Sequence, residues 1–445
     1  MGIALGEKTE ENTARAIVNM SCLYLLTLVV AVFLLQGSLH AGNWGHWRGP
    51  AGNGSSPDAE PPLEWSESRN VKWKTALPGR GSGSPVVWEN RVFVVSAVSV
   101  EGKSGFDGRR LSKLGFKLFC FDRGTGELQW EKTVTEAVPH EGTHSTNGFA
   151  SASPCTDGEY VYAHFGSRGL YCYKVDGTLV WKRDDFGRMS TRNEFGEGSS
   201  PTVTGDMILV PWDHEGPSSL HALDRMTGKT IWRTERKDEP TCWATPLVVE
   251  HKGGSQVVMN GQTCARGYDL KSGKELWRCS GQTQRPVASA VTIKGLAIVG
   301  SGFRGSFIGA FDLDGRGNLK GTRNVVWDMD RHTPDIASPL ISGTRLYFHS
   351  GKSGMLTCLD AMSGKPYYVA ERIPEISRTY ASPIAAGGHI YITGRSGTTV
   401  VLKDGDKLEI VATNSLGEGV DATPAPVDGE LFIRGEKNLF CISRK

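Results

Sequence analysis

"SPLISGTRLYFHSGKSGMLTCLDAMSGKPYY", residues 338–368, decides the fold. Pro339 has no N–H to give a ladder, which suits the first residue of a strand. Leu340 and Ile341 follow, Gly343 turns the chain, and "RLYFHS" reads as a second strand rich in aromatic and aliphatic residues. A glycine-bearing turn leads into "MLTCLD". Asp360, Ser363, Gly364 and Lys365 then form a tight turn into a last strand, because Asp bonds its own backbone ahead and Gly accepts positive φ. Four short strands joined by hairpins make one blade of a β-propeller.

The opening phrase recurs down the chain as Ser84-Pro85, Ser153-Pro154, Ser200-Pro201, Thr245-Pro246, Ser289-Ala290, Ser338-Pro339, Ser382-Pro383 and Thr423-Pro424. After a longer first step, the interval stays between 41 and 49 residues. A fixed period of that length marks a repeat architecture. The last strand of a unit usually ends in tryptophan: Trp130, Trp181, Trp232, Trp277 and Trp327, with Tyr368 standing in once. A large ring at one repeated position suits a gap between neighbouring blades, so these tryptophans are read as structural. The final unit has three strands, and its missing fourth, ending at Trp73, is found in "NVKWKT" (70–75). A ring sealed by both termini removes open sheet edges. The expectation is an all-β, eight-bladed propeller of four-stranded antiparallel blades. Seven blades is the alternative, should the weaker fifth or seventh unit be irregular.

"ALDRMTGKTIW" (222–232) and "GYDLKSGKELW" (267–277) resemble the tryptophan-docking repeat of the pyrroloquinoline-quinone (PQQ) type propellers. That superfamily includes quinoprotein alcohol dehydrogenases and the propeller lipoprotein of the outer-membrane barrel-assembly machinery. The resemblance covers about residues 70–445, and "NWGHWRGPAGNGSS" (43–56) is similar to the entry segment of bacterial PQQ-like repeat proteins. It implies the fold and leaves the function open, since sites are grafted onto folds.

Residues 1–42 read as a signal peptide or an N-terminal membrane anchor. No charge falls between Ala16 and Leu39, and "CLYLLTLVVAVFLL" (22–35) is almost wholly apolar. Residues 43–69 are rich in Gly, Pro and Ser and are expected to wander over the surface or act as a tether; 70–445 form the propeller. Export to the periplasm or cell envelope is expected, with any membrane contact confined to the N-terminal segment. Net charge is +2 with both signs interspersed, which argues against a nucleic-acid partner. Of nine cysteines, Cys120, Cys172, Cys358 and Cys441 share one repeat position and read as small buried hydrophobes. Cys264 and Cys279 are equidistant from a hairpin turn, so an oxidising compartment would allow a disulfide between them.

An individual function would be written in the connections from one blade's last strand to the next blade's first, which reach the funnel mouth and repeat least. They carry His140, Glu141, His144 and Asn147, then Arg192, Asn193, Glu194 and Glu197. Trp243, Arg285, His332 with Asp335, Arg378 with Tyr380, and Glu418 with Asp421 follow. From these, His144, Asn147, Glu194, Glu197, Trp243, Arg285, Asp335, Arg378, Tyr380 and Asp421 are the candidate ligand-binding residues. Trp243 is a stacking platform, and Gly196 and Gly198 present Glu197. No catalytic residue is assigned and no metal site is expected from His or Cys spacing. The closely spaced glycines of "GSGFRGSFIG" (300–309) lack the helix that a phosphate loop needs.

The reading that follows is an exported non-catalytic propeller, a binding or scaffold module for an envelope protein or polysaccharide, with no cofactor expected. The alternative is a quinoprotein oxidoreductase. The resemblance implies that such an enzyme would hold PQQ over a Trp floor (Trp243) and Ca²⁺ through Glu197, Asn147 and Asp335. This chain lacks the adjacent cysteine pair of the alcohol-oxidising members and their long insertions.

Overall fold

Eight antiparallel blades of four strands follow one another along the chain, two of them extended by a two-residue parallel strand, and among the described residues the helices are two single-turn 3-10 helices. The computed structural model describes residues 42–101 and 112–444; the leader expected over 1–42 lies outside them except for Gly42. Blades 1 to 8 span 86–137, 155–183, 202–235, 247–279, 291–329, 340–372, 384–415 and 425–443. Val71–Ala76 pairs with Asn438–Ser443 as the outer strand of blade 8, so the two ends of the propeller close the ring as expected. The fifth and seventh units are complete sheets, which excludes seven blades. Among the described residues no helix is long and apolar enough to cross a membrane.

First strands of neighbouring blades touch one another and therefore line the axis. Eight apolar clusters hold the ring, each drawn from two adjacent blades; Leu209, Ala222 and Trp232 of blade 3 against Val257, Met259 and Tyr268 of blade 4 is one. Each of the eight outer strand pairs also carries a register shift, a bulge, beside the docking position, which an aromatic ring occupies in every blade but the seventh.

The indole N–H of Trp73 donates to Arg123 O at 2.8 Å, Trp130 to Val175 O at 3.1 Å, and Trp181 to Arg225 O at 2.9 Å. Trp232 donates to Leu270 O at 2.9 Å and Trp327 to Ala361 O at 3.0 Å. Each acceptor heads the tight turn of the next blade, and the turn glycine stacks on the ring. A Cβ on Gly126 or Gly273 would stand 2.5 Å from Trp73 or Trp232, and both glycines hold positive φ, so these positions need glycine twice over. Trp277 departs from the rule. It donates to Gln256 Oε1 at 3.0 Å, and Gln256 Nε2 relays to the equivalent carbonyl, Leu313 O, at 2.9 Å.

Cys120, Cys172, Cys358 and Cys441 are wholly buried and sit directly across from Trp130, Trp181, Tyr368 and Trp73. Only a small side chain fits opposite the ring. Burial pushes the Cys120 and Cys358 thiols up to about 12, so they are inert.

Two expectations are corrected. Equidistance from the turn holds for Tyr268 and Glu275, but the bulge beside Gly267 then moves the register by one and sets Ala265 across from Cys279. Cys264 therefore faces the opposite side of the sheet, and both thiols are free. Residues 43–69 are also no tether. Trp44 is fully buried and bridges Val87, Ser55–Ser56 adds to blade 7 beside Ala385 and Ala386, and Trp65 stacks on Tyr391 with centroids 6.3 Å apart. Trp65 supplies an aromatic ring between blades 7 and 8, where the outer strand of blade 7 carries Ala412 at the docking position.

Candidate ligand-binding funnel

The repeated Ser/Thr is a hydrogen-bonded ring around the axis. The N–H of Ser84 donates to Ser153 Oγ, that of Ser153 to Ser200 Oγ, and that of Thr245 to Ser289 Oγ, each at 2.9 Å. Ser289 to Ser338 and Ser338 to Ser382 follow at 2.9 Å, Ser382 to Thr423 at 3.0 Å, and Thr423 back to Ser84 at 2.9 Å. Between Ser200 and Thr245 the link shifts, and Thr202 Oγ1 donates to Pro246 O at 2.7 Å instead. The phrase thus has two parts: a hydroxyl to receive the previous blade, and a proline to open the strand.

Beneath this ring the entry segment closes the channel. Trp44 exchanges backbone hydrogen bonds with Val87 of blade 1, and the N–H of Thr156 in blade 2 donates to Gly45 O at 2.8 Å. Ile341 N–H of blade 6 donates to Asn53 O, and Ala385 N–H of blade 7 to Gly54 O. Arg48 is 1% exposed; its guanidinium donates to Pro383 O at 2.9 Å, to Asn53 O at 3.0 Å and to Pro339 O. None of these acceptors is a carboxylate, and burial lowers the Arg48 pKa to about 9. Its guanidinium lies 5.6 Å from the Trp47 ring centroid, and Trp47 forms part of the cavity wall.

Above the ring lies a cavity of about 330 Å³. Of the ten candidates, His144, Asn147, Trp243, Arg285, Asp335, Tyr380 and Asp421 line it. Phe195, Phe303 and Lys352 line it too. Phe195 and Trp243 have centroids 6.4 Å apart, and His144 meets Phe195 edge-on at 5.3 Å. The Arg285 guanidinium lies 5.4 Å from the Phe195 centroid and 5.9 Å from that of Phe303. Arg395 sits 4.1 Å from the Tyr380 centroid and grips Asp421 with two bonds of 2.6 and 3.0 Å. Lys352 Nζ is 3.4 Å from Asp335, whose carboxyl is raised by burial against the pull of that lysine.

Three candidates lie elsewhere. Glu197 turns into a separate small pocket, where its carboxylate accepts the Ser167 N–H and hydroxyl, each at 2.5 Å, and faces His140 Nε2 at 3.9 Å. The flanking glycines let the backbone turn it away from the axis. Glu194 is exposed and accepts the Gly142 N–H at 2.9 Å. Arg378 is exposed in a shallow cleft beside Tyr380. Glu141 and Glu418 bond backbone N–H groups of Thr191 and of Lys437 and Asn438, and His332 lies 3.3 Å from Ser350 Oγ.

Two of the missed residues are Phe195, which lies in a connector, and Trp47, which lies in the entry segment; the others share one origin. Phe303 and Arg304 lie between Leu296–Ser301 and Phe307–Asp312, Lys352 between Arg345–His349 and Met355–Asp360, and Arg395 between His389–Thr393 and Thr398–Lys403. These are turns between second and third strands. In an antiparallel blade those turns reach the same face as the connectors, so alternation alone points to them.

The donor set does not fit the Ca²⁺ site of the quinoprotein alternative. Glu197 is in a different pocket from Asn147 and Asp335, Asp421 is held by Arg395, and Asn147 Oδ1 accepts from Gly148 N–H and the Ser151 hydroxyl. Among the described residues no three His, Cys, Asp or Glu side chains converge. The most buried ion pairs, Arg236 with Asp213 and Arg266 with Glu239, lie at the junction of blades 3 and 4 and are structural.

Known proteins share the fold at low identity. The structure is similar to quinohemoprotein alcohol dehydrogenase from Comamonas testosteroni, with TM-score 0.57 and 11% identity over 93% of this chain and 82% of that one. It is also similar to alcohol dehydrogenase ADHIIG from Pseudomonas putida HK5 (0.53, 11%, 90% and 80%) and to the computationally designed Ika8 protein (0.53, 10%, 88% and 99%). No curated protein matches the chain in sequence. A family model does match residues 115–368, more than half of the chain: this protein belongs to the PQQ-like β-propeller family described as outer membrane protein assembly factor BamB.

Proposed function

We propose that this chain is an exported, non-catalytic propeller that acts as a binding or scaffold module in the cell envelope and engages its partner through the open funnel mouth. The observation that carries this reading is how the mouth's carboxylates are spent. Asp421 and Asp335 are held by Arg395 and Lys352, while Glu194 and Glu197 cap backbone, and among the described residues no three His, Cys, Asp or Glu side chains converge on a metal position. The cavity instead offers aromatic faces and hydrogen-bond donors, which is how small-molecule and partner sites are lined. The family description, an assembly factor of the outer membrane, supports an envelope partner.

The test is a calorimetric titration of PQQ, with and without Ca²⁺, into the full chain, alongside crosslinking in cells. The account expects no Ca²⁺-dependent PQQ binding and crosslinks to envelope material. Saturable, Ca²⁺-dependent binding at micromolar or tighter affinity would replace it with the oxidoreductase reading.

A further inference from the structure

The funnel has many free donors and few free acceptors. The ring hydroxyls of Ser84, Ser153, Ser200, Ser289, Ser382 and Thr423 each accept a backbone N–H, and among the described residues none of them donates to a protein acceptor. A hydroxyl carries one donor besides its lone pairs, so each keeps a proton to give. These side chains are 2–5% exposed, and all six line the cavity. The Trp47 indole N–H, on a residue lining the same cavity, is buried and finds no acceptor among the described residues. Arg285 is held between Phe195 and Phe303, and no carboxylate among the described residues lies within 4 Å of its guanidinium. Arg192 and Arg304 join Arg285 around an adjoining cleft that holds Glu215 as its one carboxylate.

Acceptors in the cavity are mostly consumed. Both Asp421 oxygens are taken by Arg395, Asn147 Oδ1 is used twice, and Asp335 faces Lys352. A ligand for such a place must be rich in acceptors in several directions, must carry an anionic group for the guanidinium fork, and must present an apolar face to Trp47, Trp243 and Tyr380. A pyranose ring bearing an oxyanion has these properties together: hydroxyl oxygens around its edge, C–H faces that stack on aromatic rings, and a carboxylate or sulfate for Arg285.

We infer that the funnel binds an acidic saccharide unit, with Arg285 on its oxyanion and the Ser/Thr ring and Trp47 on its ring oxygens. This rests on the binding-module reading and names the ligand class of that same site. At about 330 Å³ the cavity admits a short oligosaccharide end rather than a folded chain.

The experiment is isothermal titration of the full chain with digalacturonate, with a sulfated heparin disaccharide, and with neutral maltose, in low and in moderate salt. Saturable binding of digalacturonate or of the sulfated disaccharide at least 10-fold tighter than maltose, weakened by salt, is the expected result; the tighter of the two identifies the oxyanion. Arg285→Gln should weaken that binding at least 10-fold, and Arg304→Gln, at an exposed site that cannot unfold the protein, about 3-fold. Equal binding of maltose, no binding of either acidic sugar, or unchanged binding in Arg285→Gln would overturn the inference. So would PQQ binding more tightly than both acidic sugars. Failure with sugars while crosslinks to an envelope protein persist would remove this ligand class and leave the binding-module reading intact.

Discussion

At one end of the central channel, residues 42–56 lie across the inner strands and bury Trp44 and Arg48; at the other, the wall breaks into loops that leave Arg285, Lys352 and Tyr380 around a cavity. Both ends hold arginines without a carboxylate, yet the two are treated differently. Arg48 gives hydrogen bonds to three carbonyls through its two terminal nitrogens and is sealed from water, so it ties the entry segment to blades 6 and 7 although its Nε–H has no partner among the described residues. Arg285 is gripped by aromatic faces, and among the described residues its guanidinium N–H groups find no acceptor. The same side chain is a rivet where carbonyls hold its terminal nitrogens and a recognition group where they do not. One consequence is directional: anything reaching the ring of hydroxyls must come from the mouth.

Substitutions at the closed end should cost stability. Trp44→Ala should destabilise by about 3–5 kcal/mol, the usual loss for a fully buried tryptophan, read as the midpoint of urea unfolding. A change under about 1 kcal/mol would mean that the entry segment is not part of the folded unit.

Acid should strain the wall between the ends. His164 and His349 are 1% exposed, and burial lowers both to about 4. The unfolded chain, with histidines near 6.5, then binds more protons than the native one between about pH 6.5 and 4. Stability should therefore fall as pH drops through that window, by roughly 1 kcal/mol per pH unit for each histidine, and stay flat from pH 7 to 8. Double replacement by Gln should make the acid limb shallower in thermal melts, with buried His46 and His221, lowered to about 3 and about 4, supplying what remains.

The ring should respond in smaller steps. Ser338→Ala orphans the buried N–H of Ser289 and should cost about 1–3 kcal/mol, a shift that Ser338→Thr would avoid. At the mouth the effect should nearly vanish: Arg285→Gln should change unfolding stability by no more than about 0.5 kcal/mol. A loss comparable to Trp44→Ala would show that Arg285 belongs to the scaffold and would collapse the contrast between the two ends.

The repeated parts of this contrast were legible in the chain. The Ser/Thr-Pro phrase, the docking tryptophans, the small residue across from each ring and the closing strand all recur, and repetition exposes a position's role before any contact is seen. What escaped is what occurs once. Residues 43–69, with four glycines and four prolines, read by composition as a segment that wanders over the surface or acts as a tether. Yet Gly49 and Gly54 are pressed against Trp44 and Arg48, where an added Cβ would stand 2.5 Å from the side chain. Those glycines allow close packing rather than motion. Glu197 misled in the same way, since flanking glycines set a backbone free without saying where it turns. Phe303 was hidden in a glycine-rich loop tested only for phosphate binding, and the bulge beside Gly267 moved Cys279 away from Cys264 by a single residue.

The most direct test places a photoreactive amino acid at exposed Arg378, beside Tyr380 at the mouth, and in a second variant at exposed Pro50 in the entry segment, and compares adducts formed in living cells. The account predicts adducts with envelope material from position 378 and none from position 50. Adducts from position 50 alone would contradict it, because the partner would then dock on the closed end.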